Sequence, residues 1–250
     1  MPFERTILNR LADRELIIPY FEMGMLADKW PEHYMIKVDS GPYYGAGDGY
    51  FHPSTHPLMG ERELFYRFHP DTRDSIVSEK RTFRRQMIFA TGTAIHSIVQ
   101  TQMVMAGLVE EKNIEVEYVI DEHHVRGRID FIVDHPTGRQ YLVELKTMDP
   151  WLYKKLEKIQ PSWDAQLSLA EYAMDVSDGI IMVLERGGTG MREFKHHRND
   201  VLLDEIFTKF ARVRRAIEDS EPPRHCCALD SKEMEGCGAR FACWLKNEDL

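Results

Sequence analysis

No cysteine precedes position 226 in this 250-residue sequence, and all four (Cys226, Cys227, Cys237 and Cys243) fall in the last 25 residues. A disulfide framework would be spread through a small secreted chain, so the clustering speaks against one and suggests metal first. No apolar run approaches the roughly 18 residues that a membrane-spanning helix needs. The opening MPFERTILNRLADREL lacks the basic-then-apolar layout of a secretory leader, so a cytoplasmic setting is expected. Positive charge is not in excess either. The net charge of −9 argues against a protein that coats nucleic acid by neutralising it. A Walker-type phosphate loop is missing, which excludes a motor ATPase of that class. Internal repeats and low-complexity tracts are missing as well.

What is present is a soluble globular composition, 43% hydrophobic and 29% charged, at a length that suits one core with a small appendage. Residues 1–77 read as a helical N-terminal region and a loop, 78–220 as the core, and 221–250 as a Cys-rich segment. Helix is expected over 3–30. The Gly- and Pro-rich stretch 38–57 reads as a surface loop leading into the helix LMGERELFYRF. A long helix follows from about Ser78 to Ala106, with a possible break near Gly92. Strand patterns lie at 115–121, 125–133, 140–147 and 179–186, with a fifth at 191–197. Trp163–Met174 is an amphipathic helix, and 199–218 another that Pro222 and Pro223 end. This order is α/β. Basic residues collect at Arg81, Arg84 and Arg85, at Lys154, Lys155 and Lys158, and at Arg212, Arg214 and Arg215, on stretches that read equally as solvated helix faces.

The stretch RGRIDFIVDHPTGRQYLVELKT, residues 126–147, carries charge on a hairpin pattern. Alternation puts Glu144 and Lys146 on one face and Val143 and Leu145 on the other. The plainest interpretation is a surface salt bridge, with Asp130 exposed on an edge strand. Against it, YLVELKT and RIDFIV are apolar enough for inner strands, where charge is expensive. Counting from a turn at His135, Pro136 and Gly138 pairs Val133 with Gln140 and puts Asp130 opposite Val143. A one-residue shift would level it with Glu144. Two converging carboxylates, with the Leu145 carbonyl, make a hard-oxygen site suited to Mg²⁺ or Mn²⁺.

Asp130, thirteen residues, then Glu144-Leu145-Lys146 resembles the signature of the PD-(D/E)xK nuclease superfamily, with Ile129 in the position of the proline. His96 in GTAIHSIVQ and Gln166 in DAQLSLAEY, in that order around it, resemble the RecB-like branch, including its CRISPR-associated and phage exonucleases. One departure is Ala170 where the branch often has tyrosine; Tyr172 lies beyond. The resemblance implies a restriction-endonuclease-like core, a mixed β-sheet flanked by helices. It implies a metal-dependent DNA exonuclease acting on single strands or ends, or an endonuclease or non-catalytic adaptor with the same fold. His96, Asp130, Glu144 and Leu145 would hold one or two Mg²⁺ or Mn²⁺ ions, and Lys146 and Gln166 would complete the catalytic set. Recombinase, helicase or CRISPR integrase partners belong to the same branch. Alone, His96 would pass for a core histidine and Gln166 for a capping residue.

The resemblance extends to the cysteines. The iron-sulfur members of that branch hold a cluster with one cysteine ahead of the core and three near the C-terminus. Cys237 and Cys243, with five residues between them, match the final spacing. The upstream cysteine is missing, with Gly60 in its place. A 4Fe-4S cluster held by Cys226, Cys227, Cys237 and Cys243, a zinc site, and free thiols all stay open, with His225, His52 or His56 as substitute ligands.

Overall fold

In a computed structural model the described residues are 16–26, 48–73, 76, 83–135, 138–188 and 190–244. Most of the expected 3–30 helix and half of the 38–57 loop, residues 38–47, lie outside them. The helices are α1 (Ile18–Met25), α2 (Glu61–Phe68), α3 (Phe83–Met105), α4 (Pro150–Lys154), α5 (Pro161–Met174), α6 (Asp200–Asp219), α7 (Lys232–Gly236) and α8 (Arg240–Trp244). The strands are β1 (Ile114–Ile120), β2 (Val125–Asp134), β3 (Gln140–Met148), β4 (Asp178–Glu185) and β5 (Met191–His197). They form a five-stranded sheet in the order β1-β2-β3-β4-β5. β3 pairs antiparallel with β2 and parallel with β4, and β5 returns antiparallel to β4, so the sheet is mixed. The fold class is therefore the expected α/β one. Among the described residues no helix is long and apolar enough to cross a membrane.

Both sheet faces are covered, which is why β3 and β4 read as near-continuous apolar runs. On one face Phe131, Val133, Val143, Leu145, Ile180 and Met182 pack with Val99 and Met103 of α3 and with Phe21 of α1. On the other, Ile132, Leu142, Ile181 and Val183 pack with Leu167 and Ala170 of α5. Each such aliphatic side chain contributes about 1.5–3 kcal/mol by burial. The parallel β3–β4 step needs a crossover, and α4 and α5 supply it. Pro161 starts α5 at a position where its missing N–H costs nothing. At Gly179 a Cβ would come within 2.6 Å of Glu171 Oε1 and 2.8 Å of Leu167, so glycine there lets α5 lie close on β4. α3 runs unbroken through Gly92.

Contacts divide the chain into two units, neither of them one continuous stretch. The first comprises 1–41, 83–118 and 128–198, and holds α1, α3, α4, α5 and most of the sheet. The second comprises 42–82, 119–127 and 199–250, so α6 groups with the cysteine segment. In it Phe51 stacks on Phe210 with ring centroids 3.9 Å apart, and Phe65, Tyr66 and Ala239 form a small core. Asn199 caps α6 by accepting the Leu202 N–H.

Candidate active site

The hairpin register differs from the count made on the sequence. Val133 pairs with Tyr141 and Asp134 with Gln140, one residue on from the expected Val133–Gln140 pairing. The pairing runs to Phe131 opposite Val143, so the next step along each strand is Asp130 and Glu144. At that step the alternation slips. Phe131 and Val133 pack on the α3 face, whereas Ile129 packs in the α5-side cluster, although regular alternation would keep all three together. The slip turns the Asp130 carboxylate onto the β3 backbone, where Oδ2 accepts the Leu145 N–H at 2.7 Å. From α3, His96 Nδ1 stands 3.6 Å from Asp130 Oδ1, a charge contact rather than a hydrogen bond.

β3 and α5 supply the other half. Lys146 Nζ donates to Glu144 Oε1 at 2.8 Å and to Gln166 Oε1 at 2.7 Å, and Gln166 Nε2 donates to Glu144 Oε1 at 2.6 Å. The three side chains form a closed ring with one oxygen left over. Glu144, 4% exposed, has Oε2 buried without a hydrogen-bond partner among the described residues. An orphaned buried carboxylate oxygen costs about 1–3 kcal/mol or more unless something polar meets it.

The electrostatics follow from burial and from these partners. Burial, then the Asp130 charge, push the Glu144 carboxyl up to about 7 against the pull of Lys146. For Asp130 burial works in the same direction, but His96, Lys146 and the Leu145 amide outweigh it and hold the carboxyl below the ordinary value. Burial opposes a charged His96, and the Asp130 carboxylate overrides it and raises the imidazole. Beside them the Tyr118 phenol of β1 is held protonated by burial and by the Glu144 charge.

His96, Asp130, Glu144, Leu145, Lys146 and Gln166 are thus brought together. Among the described residues no group of three His, Cys, Asp or Glu side chains forms a ready metal cage. Asp130 and Glu144 still fit a hard cation, because Mg²⁺ is commonly held by one or two carboxylates plus water and substrate oxygens. The unpartnered Glu144 Oε2 is the observation that fits it best.

The cysteines are a different case. None of the four is joined in a disulfide. Cys226 packs on the start of α2, where a Cβ at Gly60 would stand 2.7 Å from its Sγ. Cys243 Sγ accepts from Arg62 Nε at 3.1 Å and lies 3.3 Å from His225 Nδ1. Burial, with the Glu63 carboxylate adding, pushes the Cys237 thiol up to about 11. As placed, the thiols form no ligand set, and neither the iron-sulfur nor the zinc reading finds support among the described residues. His52 and His56 are engaged with each other: the His52 N–H donates to His56 Nδ1 at 2.7 Å.

Two features of the first unit leave no signal in the sequence. His196 of β5 sits between two carboxylates of α5, with Nδ1 3.0 Å from Glu171 and Nε2 3.0 Å from Asp164. Burial disfavours its charge, and the two carboxylates raise the imidazole above its ordinary value. This network ties α5, and with it Gln166, to the sheet. Arg186, just past β4, has Nε buried without a hydrogen-bond partner among the described residues. Neither partner set is close enough in sequence to leave a periodic or spaced signal. Ala170, at the tyrosine position of the RecB-like pattern, is fully in the core.

No family model matches the sequence, and no curated protein is similar to it at a significant level. Among solved structures the chain is similar to the alkaline exonuclease LHK-Exo from Laribacter hongkongensis, with TM-score 0.51 and 15% identity over 69% of this chain and 89% of that one. It is similar also to LHK-Exo in complex with dAMP, with TM-score 0.52 and 16% identity over 70% and 91%. At such identity the likeness is one of fold, and with its five-stranded mixed sheet and flanking helices the chain has a restriction-endonuclease-like fold.

Proposed function

We propose that this chain is a metal-dependent DNA exonuclease of the PD-(D/E)xK type, acting on single strands or strand ends. The observation that carries the reading is the closed Glu144–Lys146–Gln166 ring with Asp130 beside it and one Glu144 oxygen without a partner among the described residues. Asp130 and Glu144, with the Leu145 carbonyl and His96, would hold Mg²⁺ or Mn²⁺, which when bound supplies charge neutralisation at the phosphate and an activated water. Lys146 places a cation where negative charge grows on the phosphate and orients the attacking water. Gln166 fixes the Lys146 ammonium by accepting from it and, through its amide, keeps Glu144 turned toward the same point. Asp130 anchors its strand to the Leu145 amide and holds the His96 imidazole by charge.

Mg²⁺- and Mn²⁺-dependent cleavage of end-labelled linear and of closed circular single-stranded DNA tests the reading, with Lys146→Ala as control. Nucleotides released from linear DNA alone make it an exonuclease, and cutting of the circle makes it an endonuclease with the same site. An uncut substrate in every condition leaves an adaptor for a recombinase, helicase or CRISPR integrase. Absorbance, with iron and zinc analysis of protein purified without oxygen, decides the state of the cysteines.

A further inference from the structure

The stretch of α3 before His96 takes no part in the site described above. Along this helix the row Met103, Val99, Ile95 packs against the sheet, and the same four-residue spacing continues back through Thr91, Met87 and Phe83. There the apolar row is uncovered: Phe83 is 79% exposed, and Met87 and Ile88 are exposed beside it. Phe83, Arg84, Met87, Ile88, Thr91 and Arg186 line a shallow open groove of about 320 Å³. Apolar side chains grouped on a surface in this way mark a place where something binds.

Two further observations say what the groove takes. Both of its charged groups are guanidinium cations, and Arg186 Nε is buried with no hydrogen-bond partner among the described residues. An anionic oxygen would satisfy that donor and its charge together. The helix that bears the groove also carries His96 of the carboxylate site and packs on β3 beyond Lys146. A Cβ at Gly92 would lie 3.6 Å from the hydroxyl of Thr147, the residue after Lys146, and the Arg186 N–H donates to the Met148 carbonyl at 2.8 Å. His96 is on the same helix as Phe83, about 20 Å away at 1.5 Å per residue.

We propose that this groove binds single-stranded nucleic acid on its way to the cleavage site, with bases stacked on Phe83 and packed on Met87 and Ile88 and phosphates on Arg84 and Arg186. The proposal rests on the nuclease reading for what lies at the end of the path. A duplex presents its phosphates outward and would leave the apolar row without contacts, whereas a single strand has free base faces to stack. A protein helix could also cover an apolar row, but the two guanidinium groups and the Arg186 Nε, which has no partner among the described residues, call for an anion, which a phosphate at every nucleotide provides.

The test is fluorescence anisotropy with labelled oligothymidylate and with a duplex of equal length, on the intact protein in EDTA to prevent cleavage. Phe83→Ala combined with Met87→Ala is expected to weaken single-strand binding roughly tenfold, the loss of one stacked base. Arg84→Gln is expected to reduce the slope of log affinity against log salt by about one. Unchanged single-strand affinity in the double variant, with a circular dichroism spectrum that shows it folded, would overturn the proposal. So would equally tight duplex binding that falls by the same factor, or a dimer seen by light scattering that the double variant dissolves. The nuclease reading fails separately: a wild-type protein that binds strand through these residues but cuts nothing with Mg²⁺ or Mn²⁺ keeps the groove and loses the activity.

Discussion

The sheet core and the cysteine segment each gather several reactive side chains, and they differ in what holds them. In the core the Glu144, Lys146 and Gln166 side chains hydrogen-bond one another, the β3 strand beneath is paired on both sides, and among the described residues Glu144 Oε2 has no hydrogen-bond partner. In the cysteine segment the thiols rest on Gly60, Arg62 and Glu63 at the start of α2, on short helices with a small core. A rigid sheet can hold like charges close together, because backbone pairing fixes them before they repel. Short helices and loops rely on the ligand itself to do that.

The comparison breaks first if the core carboxylates are dispensable. Glu144→Gln should lower cleavage by about 10³-fold, as loss of a preorganised charge does, with the fold kept; measured turnover within tenfold of wild type would remove Glu144 from the site. His196→Ala leaves Glu171, fully buried, without its cation, and should cost about 3–5 kcal/mol in urea denaturation. The sign of the pH effect is set by the raised imidazole. Its contribution is fully present below pH 6.5, the free histidine value, and is lost as pH rises through the higher folded value. The wild-type urea midpoint should therefore fall with rising pH above 6.5, and in His196→Ala that slope should flatten.

Gln166→Ala should sharpen the contrast more gently, with a loss of roughly 10–100-fold in turnover and little change in stability, as for groups that orient a ligand rather than react. Glu144 gives a titration of the same site. Its carboxyl, pushed up to about 7, must be ionised to hold a cation, so Mg²⁺ or Mn²⁺ affinity should weaken as pH falls through 7, measured by calorimetry. The smallest effect is expected on the other side of the comparison: Cys237→Ser with Cys243→Ser should change stability by about 1 kcal/mol. Loss of bound iron or zinc with collapse of the second unit would show instead that the segment is built around a metal.

Much of the fold was legible because period-2 patterns and helix-stop signals are local. The strand at 191–197 and the Glu144–Lys146 pair on one face follow from the sequence alone. Asp130 was placed one residue short because turn counting ignores the core, which pairs Val133 with Tyr141 and buries both on one face. His196 with Asp164 and Glu171 left no trace, since its partners come from a helix on the far side of a strand. Cysteine spacing alone names neither a metal nor a geometry, and the raised Cys237 thiol owes most to burial in the folded segment, with Glu63, far away in sequence, adding.

The central claim is that Lys146 completes a metal-dependent phosphodiester-cutting site. The most direct measurement is release of mononucleotides from end-labelled single-stranded DNA in Mg²⁺ or Mn²⁺ by wild type and by Lys146→Ala, with circular dichroism on both. Metal-dependent release that disappears in the folded Lys146→Ala protein is the predicted result. Equal release by the two proteins, or none by wild type with either metal, would contradict it.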